Sequence, residues 1–274
     1  MTFDLILANV RRSAPLVHCI TNYVTVNDCA NALLACGASP IMADDIGEAA
    51  DITQICTALC INIGTLNKNT IASMFAAAQR AQELYHPVLL DPVGAGASAL
   101  RTSTAQKLVE KIDFSVIRGN ISEIKALAAG GGSTKGVDAN ALDAVNDENL
   151  DDAVAFIKEY AAKTGAVAAV TGAIDIVADS QHAYVIRNGH RAMSRITGTG
   201  CMLSACMAAF IGANSAHILD AAAAAVCAFG ICGEIGVRRM SKEDGNAALR
   251  GYIIDALCNL SGETLCEEAK YEIR

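Results

Sequence analysis

The sequence contains no tryptophan, and only 4% of its 274 residues are aromatic, although 53% are hydrophobic. The apolar material is therefore mostly Ala, Ile, Val and Leu, which is typical of helices packed on a buried sheet and argues against a disordered chain. The net charge is −8, and Lys and Arg form no run. Without a positive stripe to meet phosphate backbones, we expect no nucleic-acid partner.

Several motifs of known chemistry are also missing. The chain has no G-x-x-x-x-G-K-[ST] segment, which excludes a P-loop, and neither GAGASA nor GTGCML completes G-x-G-x-x-G. The eleven cysteines form no C-x-x-C pair and have no zinc-type spacing, so we expect most of them to be reduced core residues of a cytoplasmic protein. Asp4 precedes the first apolar residues and Arg11 and Arg12 follow them, the reverse of a secretory signal.

Residues 196–219 carry no charge and are numerous enough to cross a bilayer. The stretch nevertheless contains Thr197, Thr199, Ser204 and Asn214, and much of the remainder is Ala or Cys. This composition favours a helix buried in protein rather than in lipid, and we expect no membrane span.

Short apolar runs alternate with helical patterns along the chain. The runs at 15–21, 39–44, 58–64, 87–94, 114–120 and 166–172 predict buried strands, and 26–35, 70–84, 150–162, 217–236 and 245–260 predict helices. Two alternating runs on either side of residues 179–181 predict an antiparallel hairpin, and the polar stretch 130–149 predicts a long surface loop. We therefore expect one α/β domain over 1–274, with a mostly parallel sheet covered by helices on both faces.

The segment TGTGC, residues 197–201, stands directly before an apolar helix. A helix that begins there presents unpaired N–H groups and its positive dipole end, and glycine lets an anion approach the backbone. We expect an anion hole, with the pKa of the Cys201 thiol lowered by the helix terminus. The alternative is that the glycines only permit close packing and the threonines cap the helix.

Polar residues follow three other predicted strands. Asp91 in DPVGAGAS is placed to hold a divalent cation, or else to stabilise a strand-to-turn connection. In RGNISE, Arg118 suits a phosphate and Glu123 a metal's water shell, while Asn120 and Glu123 also have the spacing of a capping box. Thr171 in VTG either faces a nucleotide or ends its strand.

The first two strand ends suggest a substrate pocket. Asn22, Val24 and Met42 can form a small, partly apolar pocket with one polar anchor. His18 precedes them inside an apolar run, and we expect it to be a hydrogen-bonded core residue without a catalytic role.

HCITNYVTVND, GASPIMA, DPVGAGAS, RGN with Glu123, VTG and TGTGC occur in the order and at the approximate spacing of hydroxyethylthiazole kinases, which the chain resembles over nearly its whole length. The resemblance implies a ribokinase-like fold, phosphorylation of 4-methyl-5-(2-hydroxyethyl)thiazole by ATP with Mg²⁺, and a homotrimer with active sites between subunits. It also implies the roles of the site residues: catalytic Gly198, Thr199, Gly200 and Cys201; ATP contacts Arg118, Asn120 and Thr171; substrate contacts Asn22, Val24, Met42, Thr197 and Gly198; and metal-associated Asp91 and Glu123.

Many members of the ribokinase-like superfamily have Asp at the position of Cys201, so the resemblance leaves the identity of the general base open. Two other functions remain in contention at this point. One is a related kinase for another small alcohol, such as hydroxymethylpyrimidine, and the other is an inactive thiazole-binding protein. ADP release with a panel of alcohols distinguishes them.

Overall fold

The computed structural model of the protein describes residues 1–130 and 144–274. In these residues the strands form one sheet in the order β2-β1-β3-β4-β5-β6-β7-β8-β9. The strands are β1 Leu16–Ile20, β2 Ser39–Ile41, β3 Ala58–Asn62, β4 Val88–Asp91, β5 Val116–Gly119, β6 Val167–Val170, β7 Asp175–Ala178, β8 Ala183–Ile186 and β9 Tyr271–Ile273. All six strands predicted from apolar runs are confirmed, each somewhat shorter than its run.

The described part of the chain also forms helices on both faces of this sheet. They are α1 Phe3–Ser13, α2 Val26–Cys36, α3 Ala49–Ile55, α4 Lys68–Glu83, α5 Ala99–Lys111, α6 Ile121–Ala129, α7 Leu150–Thr164, α8 Thr199–Ala213, α9 Ile218–Arg239, α10 Asn246–Asn259 and α11 Gly262–Glu268, with a 3-10 helix at Arg191–Arg195. The predicted helices are confirmed with small changes at their ends. Most of the loop predicted at 130–149 lies outside the described residues.

The strands from β1 to β6 pair in parallel, and β6-β7, β7-β8 and β8-β9 pair antiparallel. The predicted hairpin is therefore β7-β8, with Asp175 opposite Ile186. β9 was not predicted. Its three residues are exposed, and it is held by pairing with β8 rather than by burial of an apolar face.

Two apolar layers cover the sheet. One contains side chains of α1, α2, α8, α9 and α10, and the other contains side chains of α4, α6 and α7. Within the described ranges, Ile218–Arg239 is the one helix long and apolar enough to cross a membrane, and most of it is buried inside the protein. This helix is apolar because it lies in the core of the protein. Its small Ala residues let it pack closely on α8 and α10.

The buried cysteines and His18 agree with the sequence-based expectations. All eleven cysteines are free thiols, and eight are buried. His18 is fully buried, with its Nδ1 2.8 Å from Thr53 Oγ1 and its Nε2 2.7 Å from Ala43 O. Burial lowers the pKa of His18, so the ring is a neutral core residue.

The strand order of the sheet reverses at β1: β2 lies on one side of β1, and β3 and all later strands lie on the other side. In open α/β sheets, ligands bind outside the carboxyl ends of strands at such a reversal. The ends of β1, β3, β4 and β5 carry Asn22, Asn62, Asp91 and Arg118 to this edge. The architecture therefore places the candidate residues from four strands together.

Candidate functional site

Asp91 lies at the centre of the polar cluster. Its side chain is fully buried at the end of β4, and its Oδ2 accepts hydrogen bonds from Asn62 Nδ2 and Ser204 Oγ, both at 2.8 Å. Its Oδ1 has no hydrogen-bond partner among the described residues. Burial raises the pKa of Asp91, and the nearby positive charge of Arg118 opposes that shift. One carboxylate oxygen is thus anchored, while the other is a buried acceptor without a partner in the described ranges.

Arg118 connects Asp91 to the end of β6. Its Nη1 lies 3.6 Å from Asp91 Oδ2, and its Nη2 donates a hydrogen bond to Thr171 Oγ1. The side chain is only 12% exposed, and its buried Nε has no hydrogen-bond partner in the described part of the chain. The guanidinium is therefore fixed in place with donor capacity to spare.

Asn120 and Glu123 form the predicted capping box of α6. Asn120 Oδ1 accepts from Glu123 N at 2.9 Å, and Glu123 Oε2 accepts from Asn120 N at 2.8 Å. The second carboxylate oxygen of Glu123 accepts from Gly94 N at 2.8 Å. Glu123 therefore ties the turn after Asp91 to α6. The capping function is confirmed, and the metal-associated role of Glu123 remains a prediction.

The TGTGC segment forms the start of α8, as predicted. Gly198 is the N-cap residue with φ +86°, a left-handed conformation that favours glycine, and a Cβ there would overlap the Thr25 side chain. The first intrahelical hydrogen bond runs from Met202 N to Gly198 O, 2.9 Å, so the amides of residues 199–201 precede it. Because the N-cap residue Gly198 has no side chain to accept from them, those amides form a donor group suited to an anion.

Cys201, in the first turn of α8, does not have the lowered pKa that its position suggested. Burial and the nearby charge of Asp91 raise the pKa of the thiol, although hydrogen bonds to the sulfur oppose the shift. Asn22 Nδ2 and Asn62 Nδ2 donate to the sulfur at 3.2 and 3.3 Å. The expectation of a lowered pKa was wrong because it considered the helix terminus without the burial of the thiol and without the neighbouring carboxylate.

A large cavity of about 760 Å³ opens beside the start of α8. Its lining includes residues predicted from the sequence as ATP contacts and as the anion hole, namely Arg118, Asn120, Thr171, Thr199 and Gly200. The rest of the wall includes residues 187–191, which lead from β8 to the start of the 3-10 helix. It also includes the apolar side chains of Leu203, Met193, Val226 and Phe229. The cavity wall therefore combines polar and cationic groups with apolar side chains, a combination that can bind a nucleotide.

The predicted substrate residues are only partly brought together. Met42 lines a second cavity of about 130 Å³ with Thr21 and Tyr23. Asn22 is buried against Cys201, whereas the side chains of Val24 and Thr197 are exposed. Within one chain, Val24 and Thr197 thus project from the protein rather than enclose a ligand.

Three polar residues of this region were not predicted from the sequence. Asn62 bridges Asp91 and Cys201, Ser204 anchors Asp91 from α8, and Asp175 lines the large cavity. Asn62 ends an apolar run at the same sheet edge as Asp91, a signal that was available in the sequence. Ser204 is three residues after Cys201 in an otherwise apolar helix, and only the fold shows that it faces Asp91.

Comparisons with known proteins agree with this geometry. The model of the Hydroxyethylthiazole kinase family matches residues 7–263. A hydroxyethylthiazole kinase of Clostridium acetobutylicum is 62% identical over 266 residues, covering 97% of each chain. A hydroxyethylthiazole kinase of Desulfovibrio desulfuricans is 48% identical over 275 residues, covering 97% of this chain and 96% of the other.

The structural comparisons extend the same result. The structure of a hydroxyethylthiazole kinase from Pyrococcus horikoshii has a TM-score of 0.88 and 33% sequence identity, covering 99% of this chain and 98% of the other. A pyridoxal kinase from Staphylococcus aureus has a TM-score of 0.60 at 14% identity, with 94% of this chain and 97% of the other covered, and shares the ribokinase-like fold. On the family match, the close relatives and the shared structure, this chain belongs to the hydroxyethylthiazole kinase family.

Proposed function

We propose that the protein is a kinase that transfers the γ-phosphoryl group of ATP to the hydroxyl of 4-methyl-5-(2-hydroxyethyl)thiazole in thiamine salvage, with one kinase domain over residues 1–274. The observation that carries this proposal is the position of the TGTGC turn. Gly200 lines the large cavity, while Gly198 packs on Thr25, whose neighbours Tyr23 and Val26 line the small cavity. The uncapped amides therefore lie where a phosphoryl group passes from one ligand to the other.

The large cavity accommodates the nucleotide in this proposal. The triphosphate lies at the end formed by Arg118, Thr171 and the start of α8, where charged and amide donors meet its oxygens. The base lies against the apolar wall that includes Val226 and Phe229. Phosphoryl transfer depends mainly on positioning and on neutralising charge, and this cavity provides both.

The alcohol binds near Met42 and Asn22, with its hydroxyl directed at the start of α8. Because the pKa of Cys201 is raised, the residue is a neutral thiol at pH 7. We therefore assign Cys201 to positioning of the hydroxyl rather than to removal of its proton. The Asn22 and Asn62 amides fix the sulfur from two directions.

The acidic residues fit a magnesium ion. Mg²⁺ usually binds one or two carboxylates and keeps several waters, and the buried Asp91 Oδ1 without a partner is a suitable oxygen. No group of three or more His, Cys, Asp or Glu side chains converges in residues 1–130 and 144–274, which accords with an ion held jointly with phosphates. When bound, the ion neutralises charge on the phosphate oxygens. Asp91 is its proposed ligand, and Glu123 orients its water shell.

We also propose that the active protein is a cytoplasmic homotrimer with sites between subunits. Tyr23, Val24 and Ile46 are exposed apolar side chains in the loops after β1 and β2, beside the small cavity that Met42 lines. A partner subunit that covers them would also enclose the alcohol. Sedimentation should give a trimer, and a stable, active monomer would refute this assembly.

ADP release in the presence of ATP and Mg²⁺ tests the function. We expect the thiazole alcohol to give a higher kcat/KM than hydroxymethylpyrimidine or ribose. Equal or higher rates with another alcohol would assign a different substrate. Binding of the thiazole alcohol without any ADP release would instead indicate an inactive binding protein.

A further inference from the structure

Glu234, in α9, is hydrogen-bonded to a loop that forms part of the wall of the large cavity. Its Oε1 accepts from Gly189 N at 2.9 Å and from Asn188 Nδ2 at 3.3 Å. Both loop residues line the cavity, at the part of its wall formed by residues 187–191. A carboxylate outside the polar cluster around Asp91 therefore fixes a backbone segment that faces the proposed nucleotide.

Lys270, in the segment before β9, also binds this loop. Asn188 Oδ1 accepts from Lys270 N at 2.7 Å, and Arg187 N donates to Lys270 O at 2.8 Å. The Lys270 ammonium is 2.7 Å from Glu234 Oε2. The loop, α9 and the segment before β9 thus form one hydrogen-bonded unit.

The loop has little freedom to adopt another position. Gly189 has φ +119°, a conformation that favours glycine, and a Cβ on Gly230 of α9 would lie only 2.7 Å from Asn188 Cβ. The side chain of Glu234 is 13% exposed. Burial by itself raises the pKa of Glu234, but the hydrogen bonds it accepts, above all from Lys270, outweigh burial and lower the pKa. The carboxylate is therefore ionised at neutral pH and is a strong acceptor.

We propose that Glu234 is a positioning residue for ATP. Glu234 accepts a hydrogen bond from Gly189 N–H and so fixes the position of the part of the cavity wall formed by residues 187–190. The ion pair with Lys270 is a separate contribution that stabilises the fold. If the acceptor is removed, the half-buried Gly189 amide loses its partner and the loop moves away from the nucleotide. The inference rests on the proposed binding of ATP in the large cavity.

Two double variants separate the acceptor from the ion pair. Glu234→Gln with Lys270→Met keeps an amide oxygen for Gly189 N, whereas Glu234→Met with Lys270→Met does not. Both lack the ion pair, and the Met/Met variant should melt at the lower temperature of the two because Gly189 N also loses its acceptor. We expect the KM for ATP to rise about tenfold in the Met/Met variant and to stay within about twofold of wild type in the Gln/Met variant. The KM for the thiazole alcohol should change less than twofold in both.

Arg238→Gln is the matched control, since it breaks the ion pair between α9 and Glu268 at 3.1 Å and leaves the Gly189 contact intact. It should lower the melting temperature slightly and leave the KM for ATP unchanged. If the Met/Met variant does not fold, the single variants Glu234→Gln and Glu234→Ala make the same comparison, because only Gln keeps an acceptor for Gly189 N. Equal KM values for ATP in the two variants of the pair that folds would overturn the inference.

A variant of Arg118 shows whether the nucleotide site itself is correct. Arg118→Met should abolish detectable binding of ATP in titration calorimetry. If Arg118→Met binds ATP normally, the proposed nucleotide site is wrong. If it fails to bind ATP while the two double variants behave alike, only the role of Glu234 is wrong.

Discussion

Replacing Gly200 with alanine should separate activity from stability at the start of α8. An ideal Cβ on Gly200 would lie 2.5 Å from Arg118 Nη1 and 2.8 Å from Nη2. Ordinary van der Waals contact begins at 3.4 Å, so the guanidinium must move by about 0.9 Å. The obstructing atoms are the far end of a side chain, and the backbone can stay in place. The substitution therefore displaces the cation rather than the helix.

The expected loss of activity follows from that displacement. A misplacement of about 1 Å in a catalytic array can cost about 100-fold in rate. Arg118 also loses alignment with Asp91 and Thr171, which lie on either side of it. We expect kcat/KM for ATP to fall about 100-fold. The melting temperature should change by no more than about 3 °C, because Ala is a better helix former than Gly by roughly 1 kcal/mol.

Gly251→Ala is the matched control for this experiment. Gly251 lies inside α10, and its added Cβ would have no neighbour within 4 Å. The control should keep full activity and melt slightly higher. Coupled ADP-release kinetics and thermal melts are sufficient to compare the variants. A well-folded Gly200→Ala enzyme with wild-type kcat/KM would refute the role given to the Arg118–Gly200 contact.

Three further predictions concern single side chains. Cys201→Ser should retain measurable ADP release, and complete loss in a folded variant would contradict a positioning role. Asp91→Asn should reduce turnover at least about 100-fold in a folded variant, because the carboxylate proposed to hold the metal ion is lost; full turnover would contradict its proposed role. Burial raises the pKa of Asp175 to about 7, so its contribution to stability is complete below pH 4 and is lost as pH rises to about 7. Asp175→Asn should therefore melt progressively higher than wild type across that range, by a total of about 4 °C since the side chain is only partly buried; a pH-independent difference would contradict the raised pKa.

Most of the parallel strands were predictable because each is a short apolar run that is largely buried, although β2 is only half-buried, and the positions of Asp91 and Arg118 followed from those runs. β9 could not be predicted, because its residues are exposed and its position depends on pairing with β8, a strand about 85 residues earlier in the chain. Residues 1–130 and 144–274 contain no other strand that escaped the sequence analysis.

The candidate site was predictable as a set of residues but not as a network. The glycines of TGTGC indicated an exposed helix start, and the structure shows that start. Burial and the approach of Asp91 decide the pKa of Cys201, and neither can be read from residues that lie 110 positions apart. The contact of Glu234 with Gly189 likewise depends on how α9 packs, which no local pattern reveals.

Identification of the product tests the central claim most directly. The purified protein is incubated with ATP, Mg²⁺ and equal concentrations of the thiazole alcohol and hydroxymethylpyrimidine, and the products are followed by ³¹P NMR and mass spectrometry. We predict a phosphate monoester on the hydroxyethyl side chain of the thiazole, formed in a one-to-one ratio with ADP. ADP without that ester, or phosphorylation of the pyrimidine in preference to the thiazole, would contradict the account.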